Sequence, residues 1–136
     1  MKGYALHFTA PFHVAVKEEW PGSPAPHQVL VRTLVSAISP GTELLIYRGE
    51  WPENLPVDEN IPALAGAFRF PLKYGYATVG TVVELGADVS SQWLNRHVFA
   101  FHPHQSHFLA TTDQLIPLPD SMPVEAAALL PNMETA

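Results

Sequence analysis

The feature of this sequence that most constrains its fold is residues 74–86, which read YGYATVGTVVELG. β-Branched and apolar residues dominate this stretch, and such residues favour a β-strand. Gly80 interrupts the run, and a residue without a Cβ allows a strand to bend or bulge. Bends of this kind let a sheet curl toward a barrel. The stretch therefore predicts a long, bent strand in a curled sheet, with Tyr76 near the mouth of the barrel.

The rest of the chain also predicts a mainly β domain with short helices. Fourteen prolines and eight glycines separate brief apolar runs, which is typical of short strands and turns. Residues 28–37 show the clearest alternation of a strand. One short helix is expected to begin near Thr42 and end by Gly49, and another to have Ser121 as its N-cap. The length of 136 residues predicts one domain over residues 1–136.

Composition and charge exclude several classes of function. Seven Lys and Arg residues against 13 Asp and Glu residues give a formal charge of −6, and there is no basic run, so nucleic acid is not an expected partner. The absence of cysteine removes disulfides, thiolate nucleophiles and thiolate zinc sites. The N-terminal residues contain no long apolar region, so neither a signal peptide nor a membrane span is predicted. A cytoplasmic location is the resulting expectation.

A long apolar connection is the next candidate for function. Residues 49–71 lack periodicity and include four prolines, and the segment exceeds the roughly 12–15 residues usual for a structureless connection. Its apolar content predicts a packed lid. Trp51 in this segment and Phe101 after it are predicted to line a pocket for a small-molecule substrate. Burial in the core is the alternative for each aromatic ring.

Several motifs, in this order and at this spacing, identify a family. They are VLVRTLVSAISPGTELLIYRG at 29–49, GYATVGTVVELG at 75–86, RHVF at 96–99 and LLPNMETA at 129–136. The chain resembles the N-terminal, GroES-like catalytic domain of the medium-chain dehydrogenase/reductase superfamily. The resemblance implies a partly open β-barrel, truncated before the Rossmann domain that binds NAD(P). It also implies an alcohol dehydrogenase-like oxidoreductase of which this chain is the substrate-side domain, inactive as a fragment.

Departures from the family pattern argue against zinc. The resemblance places Pro40, Tyr76 with Ala77, and Pro131 where zinc-containing relatives hold the metal. Proline and alanine cannot ligate zinc, and a neutral phenol does so poorly. The chain is thus most similar to the zinc-free branch, which includes quinone oxidoreductase-like and bacteriochlorophyllide dehydrogenase-like proteins, and no metal site is predicted.

The resemblance also nominates site residues. Without a metal, hydrogen-bond donors must stabilise the oxygen that gains charge during hydride transfer, and Thr42 matches the hydroxyl that relays the proton in the family. Tyr76 stands where zinc-containing relatives have a zinc ligand, so its hydroxyl is expected in the same cleft. Thr135 matches a position beside the nicotinamide ring. The alternatives are that Thr42 caps the short helix, that Tyr76 is a tyrosine of the core or barrel mouth, and that Thr135 is an ordinary helical residue.

Three histidines, His102, His104 and His107, cluster in one segment. Because family members bring this loop toward the cleft, His102 is predicted to act as an acid and His104 to contact the substrate. A histidine-rich surface loop and a metal site, as in a cupin, are the alternatives. At the level of the whole chain, the competing function is a stand-alone GroES-like binding module. The missing Rossmann domain is the expected partner, and a homo-oligomer is a further expectation.

Overall fold

A computed structural model describes residues 2–50, 70–129 and 131. Seven strands and two α-helices lie in this part of the chain. In chain order they are β1 (Tyr4–Ala10), β2 (His13–Glu18), β3 (Gln28–Ala37), α1 (Thr42–Arg48), β4 (Ala77–Leu85), β5 (His97–Ala100), β6 (His107–Thr111), β7 (Ile116–Pro117) and α2 (Val124–Ala127). The prediction of a mainly β fold with short helices is confirmed.

The five later strands form one antiparallel sheet in the order β6-β3-β4-β5-β7. The edge strands β6 and β7 are joined by a connection that contains a 3-10 helix, Thr112–Gln114. The three 3-10 residues rise roughly 6 Å at ~2 Å per residue, and the extended steps on either side add about 7 Å, so the connection spans roughly 13 Å. Five flat strands would separate the two edges by about 19 Å. The sheet must therefore curl, as expected of a barrel.

The hairpin β1–β2 is a separate two-stranded sheet, hydrogen-bonded to segments that flank strands of the larger sheet. The backbone N–H of Leu6 donates to the carbonyl of His104 at 3.0 Å, and that of Ser106 donates to the carbonyl of Tyr4 at 2.8 Å. On the same strand, the N–H of Phe8 donates to the carbonyl of Leu72 at 2.8 Å. Strand β1 thus connects the loop after β5 with the segment that leads into β4.

The predicted bend at Gly80 takes a different form. Strand β4 is continuous from Ala77 to Leu85. Beside Gly80 the register shift lies on the facing strand β3, between Thr33 and Val35, and a second shift opposite Leu30 and Val31 leaves Val83 of β4 without a Cα partner. A Cβ at Gly80 would lie 2.6 Å from the carbonyl oxygen of Arg32. Glycine is therefore required here because it lets β3 approach closely, and the extra residue that bends the pair is on the partner strand.

Apolar side chains pack on both faces of the sheet. One cluster is formed by Val29, Val31, Val82, Val98, Ala100, Phe108, Ala110 and Leu115. A second cluster brings α2 against β4 and β5 and contains Ala77, Val79, Phe99, Leu118, Ala127 and Ala128. A sheet buried on both faces explains why β3 and β4 have apolar residues at consecutive positions.

The helices are short, and their ends follow local backbone chemistry. Helix α1 stops at Gly49, which adopts a left-handed φ of 75° as is common at a helix C-terminus. Helix α2 starts after Pro123, which is its N-cap, so the predicted N-cap Ser121 is wrong. The fixed φ of proline suits a helix start, and it places that start two residues later than predicted. No helix in the described ranges is long and apolar enough to cross a membrane.

Candidate functional site

Strand pairing brings the end of β3, the start of β4 and the end of β5 to one edge of the curled sheet. Ala37 pairs with Ala77, Ser36 pairs with Thr78, and Thr78 pairs in turn with Ala100. The turn that leads into α1, the residue before β4 and the loop after β5 therefore start from the same place. We call the side chains gathered there the polar end of the sheet; they are Ser36, Thr42, Glu43, Tyr76 and His104.

Thr42 is the first residue of α1 and is partly buried. The N-cap is Gly41, and no side chain makes a capping hydrogen bond there. The alternative reading of Thr42 as the helix cap is therefore wrong, because Thr42 lies one position inside the helix. Its hydroxyl is placed at the start of α1, next to Glu43.

Tyr76 lies immediately before β4 and is also partly buried. Its ring meets that of Phe101 edge to face, with centroids 5.1 Å apart, and Phe101 meets Phe99 in the same way at 5.1 Å. Tyr76 also packs against the cluster that contains Ile46 of α1. Phe101 therefore supports the tyrosine ring, while the placement of Tyr76 and Thr42 in one cleft stays a prediction.

His104 is the centre of the polar end. Its Nδ1 is hydrogen-bonded to the hydroxyl of Ser36, and its Nε2 is bonded to a carboxylate oxygen of Glu43. The second carboxylate oxygen of Glu43 accepts the backbone N–H of Ser39. The side chains of His104 and Glu43 are only 11% and 4% exposed. His104, in the loop after β5, thus connects the end of β3 with the first turn of α1.

Glu43 was not among the residues that the sequence assigned to the site. Its partner is His104, which is 61 residues away in sequence. One signal was available: Glu43 lies three residues before Ile46, and residues at this spacing share a helix face. Ile46 is fully buried, so a carboxylate on the same face needs a buried partner.

His102 lies apart from this network, among apolar side chains. Its ring stacks on Phe108, with centroids 4.1 Å apart and 19° between the planes, and its Nδ1 lies 3.2 Å from the carbonyl oxygen of Pro103. Burial lowers the pKa of His102 to about 4, because the charged ring is desolvated. The imidazole is neutral at pH 7 and forms part of the packing between β5 and β6.

The three clustered histidines do not converge on a common point. His107 is bonded through Nδ1 to the hydroxyl of Ser106 at 2.9 Å, and its ring lies 4.8 Å from that of Trp20. Within residues 2–50 and 70–129, no group of three or more His, Asp or Glu side chains is arranged to hold a metal ion. Two other predicted site residues, Trp51 and Thr135, lie outside the described residues.

Comparison with known proteins gives matches in structure alone. A scan against protein-family models found no match, and a search of curated proteins found none either. Among solved structures, the CurF ER cyclopropanase from the curacin A biosynthetic pathway is similar with a TM-score of 0.75 and 19% identity. An alcohol dehydrogenase superfamily protein from Novosphingobium aromaticivorans has a TM-score of 0.72 and 22% identity. A protein described as an NADPH:quinone reductase, from Bacillus thuringiensis, has a TM-score of 0.69 and 24% identity.

These matches cover nearly all of this chain but less than half of each neighbour. They cover 96%, 94% and 94% of this chain, but only 39%, 38% and 37% of the three neighbours. The chain thus has the fold of one portion of these larger chains, and it spans about two fifths of their length. The fold expected from the sequence motifs is confirmed.

Proposed function

We propose that this chain is the substrate-side domain of a zinc-independent, NAD(P)-dependent oxidoreductase of the medium-chain dehydrogenase/reductase type. The observation that carries the proposal is the polar end of the sheet, where the ring of Tyr76 meets that of Phe101 edge to face and the pairing of β3 with β4 brings the segments that carry Thr42 and Tyr76 to the same edge. A small-molecule site usually combines an apolar surface with a few polar groups in this way. The similar portions of oxidoreductase chains support the same class of activity.

The proposed chemistry assigns a task to each hydroxyl. When hydride moves to or from a substrate carbon, the attached oxygen gains or loses negative charge, and fixed hydrogen-bond donors stabilise that charge. Thr42 at the start of α1 and Tyr76 at the start of β4 are the donors in this proposal. The Phe101 ring, which is partly buried, supplies apolar surface for the substrate.

In this proposal the nicotinamide of NAD(P) meets the polar end of the sheet, and the pyrophosphate is held by another domain. NAD(P), when bound, supplies or accepts the hydride. The sequence contains no G-x-G-x-x-G motif, which is the usual cradle for the pyrophosphate. A second, nucleotide-binding domain in the full-length protein is therefore part of the proposal. Thr135 stays a prediction for the nicotinamide contact.

Zinc independence is proposed on the donor chemistry of the polar end. The chain has no cysteine, and the imidazole of His104 and the carboxylate of Glu43 are bonded to each other. Pro40, Ala77 and Pro131 offer no side chain that binds zinc. The oxygen-stabilising role therefore falls to hydroxyl groups in this proposal.

The experiment that tests the function compares this chain with the full-length protein. Calorimetry should detect NADPH or NADH binding to the full-length protein and none to the 136-residue chain. The full-length protein should then oxidise the reduced cofactor with some member of a panel of aldehydes, quinones and conjugated enones, and a chelator should leave the rate unchanged. Activity that is lost with chelator and restored by zinc would contradict zinc independence. A full-length protein without cofactor affinity would favour the stand-alone binding module.

The wider setting is part of the same proposal. The substrate is a small molecule, the partner is the nucleotide-binding domain of the same polypeptide, and the protein works in the cytoplasm. The formal charge of −6 makes nucleic acid an unfavourable partner. A homo-oligomer is proposed because Val14 and Val16, two residues apart on β2, are 49% and 68% exposed and so lie on one face of the strand, and exposed apolar patches commonly mark contact surfaces.

A further inference from the structure

The hydrogen bonds of His104 define where its protons lie. One oxygen of Glu43 accepts the N–H of Ser39, and the other is bonded to Nε2 of His104; an ionised carboxylate only accepts hydrogen bonds. The Nε2 of His104 must therefore carry a hydrogen. This fixes the tautomer of the neutral ring, in which Nδ1 is the acceptor and the hydroxyl of Ser36 is the donor.

Adding a proton to His104 changes only the hydroxyl of Ser36. In the charged ring both nitrogens are donors, so Nδ1–H donates to the Ser36 oxygen, and the hydroxyl hydrogen of Ser36 is released for another acceptor. The bond from Nε2 to Glu43 is the same in both states. The network can therefore accept and return one proton while its heavy atoms stay in place.

The position of Ser36 makes it the accessible end of this chain of hydrogen bonds. Glu43 is buried at 4% exposure, whereas Ser36 is only partly buried. Ser36 also lies opposite Thr78 in the sheet, two residues along β4 from Tyr76. The hydroxyl of Thr78 is directed to the carbonyl of His102 at 3.4 Å. Of this cross-strand pair, Ser36 is therefore the residue whose hydroxyl is bonded to His104.

We propose that Ser36 is a further catalytic residue, which gives a proton to the substrate oxygen and is resupplied by His104, with Glu43 as the positioning residue that fixes the tautomer. This inference rests on the proposed function. During reduction of a carbonyl, the carbon gains the hydride and the oxygen gains the hydrogen of Ser36. The Ser36 oxygen then takes the hydrogen of His104 Nδ1, and the neutral ring keeps its Nε2–H toward Glu43. Water returns the proton to His104, and oxidation of an alcohol runs the same steps in reverse.

The first arm of the test uses the 136-residue chain and needs no cofactor. Nitrogen-15 NMR of the imidazole rings should show His104 as a single Nε2–H tautomer when it is neutral. The variant Glu43→Gln should lose this preference, since an amide can donate as well as accept. Ser36→Ala should keep the tautomer and remove the hydrogen bond at Nδ1. His13→Gln, at an exposed histidine, is the control, because it removes only the imidazole signals of His13 and should leave those of His104 unchanged. A mixture of tautomers in the wild-type ring would overturn the proposal.

The second arm uses the full-length protein, after its cofactor affinity has been measured separately. Ser36→Ala should lower kcat by at least about 100-fold, the lower limit usual for a positioned acid or base, with little change in KM. Ser36→Thr keeps a hydroxyl and should recover most of the rate, and Ser90→Ala, at an exposed serine, is the matched control. Wild-type turnover in Ser36→Ala would overturn the role of Ser36 but not the proposed function. Absence of cofactor binding would instead overturn the proposed function and the relay with it.

Discussion

At the scale of single residues, the polar end depends on a buried hydrogen bond between His104 and Glu43. Both side chains are almost completely shielded from water, and the remaining oxygen and nitrogen atoms are used by Ser39 and Ser36. A buried pair of this kind contributes little net stability when intact, but removal of one member leaves the other uncompensated. The pair is therefore expected to be sensitive to substitution at either side.

The first prediction concerns Glu43. Glu43→Ala should lower the free energy of unfolding by about 3 kcal/mol, because it leaves the imidazole of His104 buried without its acceptor. Urea unfolding of the 136-residue chain measures this change. The matched control is Glu84→Ala, since Glu84 is exposed on β4 and its loss should change stability by no more than about 0.5 kcal/mol. Equal effects of the two substitutions would contradict the buried pair.

The second prediction concerns pH and His102. The pKa of His102 is about 4 in the folded chain, against 6.5 for an ordinary histidine. Between these values the unfolded chain binds more protons than the folded chain, so the contribution to stability falls as the pH falls from 6.5 to 4. The total loss is about 3 kcal/mol. Burial lowers the pKa of His7 and His107 as well, so they act in the same direction.

A comparison of variants isolates the effect of His102. Chemical unfolding of the chain and of His102→Phe at several pH values should give curves that diverge below pH 6.5, because phenylalanine cannot be protonated. His13→Gln, at an exposed position, should follow the wild-type curve. Parallel curves for the chain and His102→Phe would show that His102 is not a buried neutral histidine.

At the scale of elements, the site depends on the close approach of two loops. Gly75, just before β4, lies against the loop after β5, and a Cβ at Gly75 would lie 2.7 Å from the backbone N of His104 and 2.9 Å from the carbonyl oxygen of His102. Real Cβ atoms essentially never come this close to backbone atoms. The absence of a side chain at Gly75 therefore positions His104 near Ser36 and Glu43.

The third prediction follows from this contact. Gly75→Ala should displace the loop that carries His104 and should destabilise the chain by at least about 2 kcal/mol, since backbone atoms must move. The imidazole NMR signals of His104 should change with it. Gly41→Ala is the control, because nothing lies within 4 Å of a Cβ there, and its cost should be about 1 kcal/mol or less. A Gly75→Ala chain as stable as Gly41→Ala would contradict the close approach.

Elements and contacts differ in how far the sequence could predict them. The bounds of β3 were predicted because alternation and the following proline and glycine define them locally. The contact between His104 and Glu43 was not predicted, because it depends on the curl of the sheet and joins residues far apart in the chain. Tyr76 was placed at the site through a motif that marks the start of β4. His102 was assigned to the cleft, but the same loop turns its ring onto Phe108.

At the scale of the whole molecule, the curled sheet brings three chain segments to one end. The turn after β3, the start of β4 and the loop after β5 supply Thr42, Tyr76 and His104 respectively. None of the three is adjacent to another in sequence, so the pairing of β3 with β4 and of β4 with β5 brings their segments to one edge. The chain covers 37–39% of the three solved chains that it matches, and the second domain that completes the cleft stays a proposal.

The most direct test of this account is the turnover number of the full-length protein in the presence of a chelator, for the wild type, Thr42→Ala and Tyr76→Phe. We expect the chelator to have no effect, and each substitution to lower kcat by about 10- to 1,000-fold, the range around the loss of one oxyanion donor, while the melting temperature stays near that of the wild type. Tyr4→Phe, at an exposed tyrosine of β1, should leave kcat unchanged. Wild-type turnover in both Thr42→Ala and Tyr76→Phe would contradict the assignment of the reaction to these hydroxyl groups.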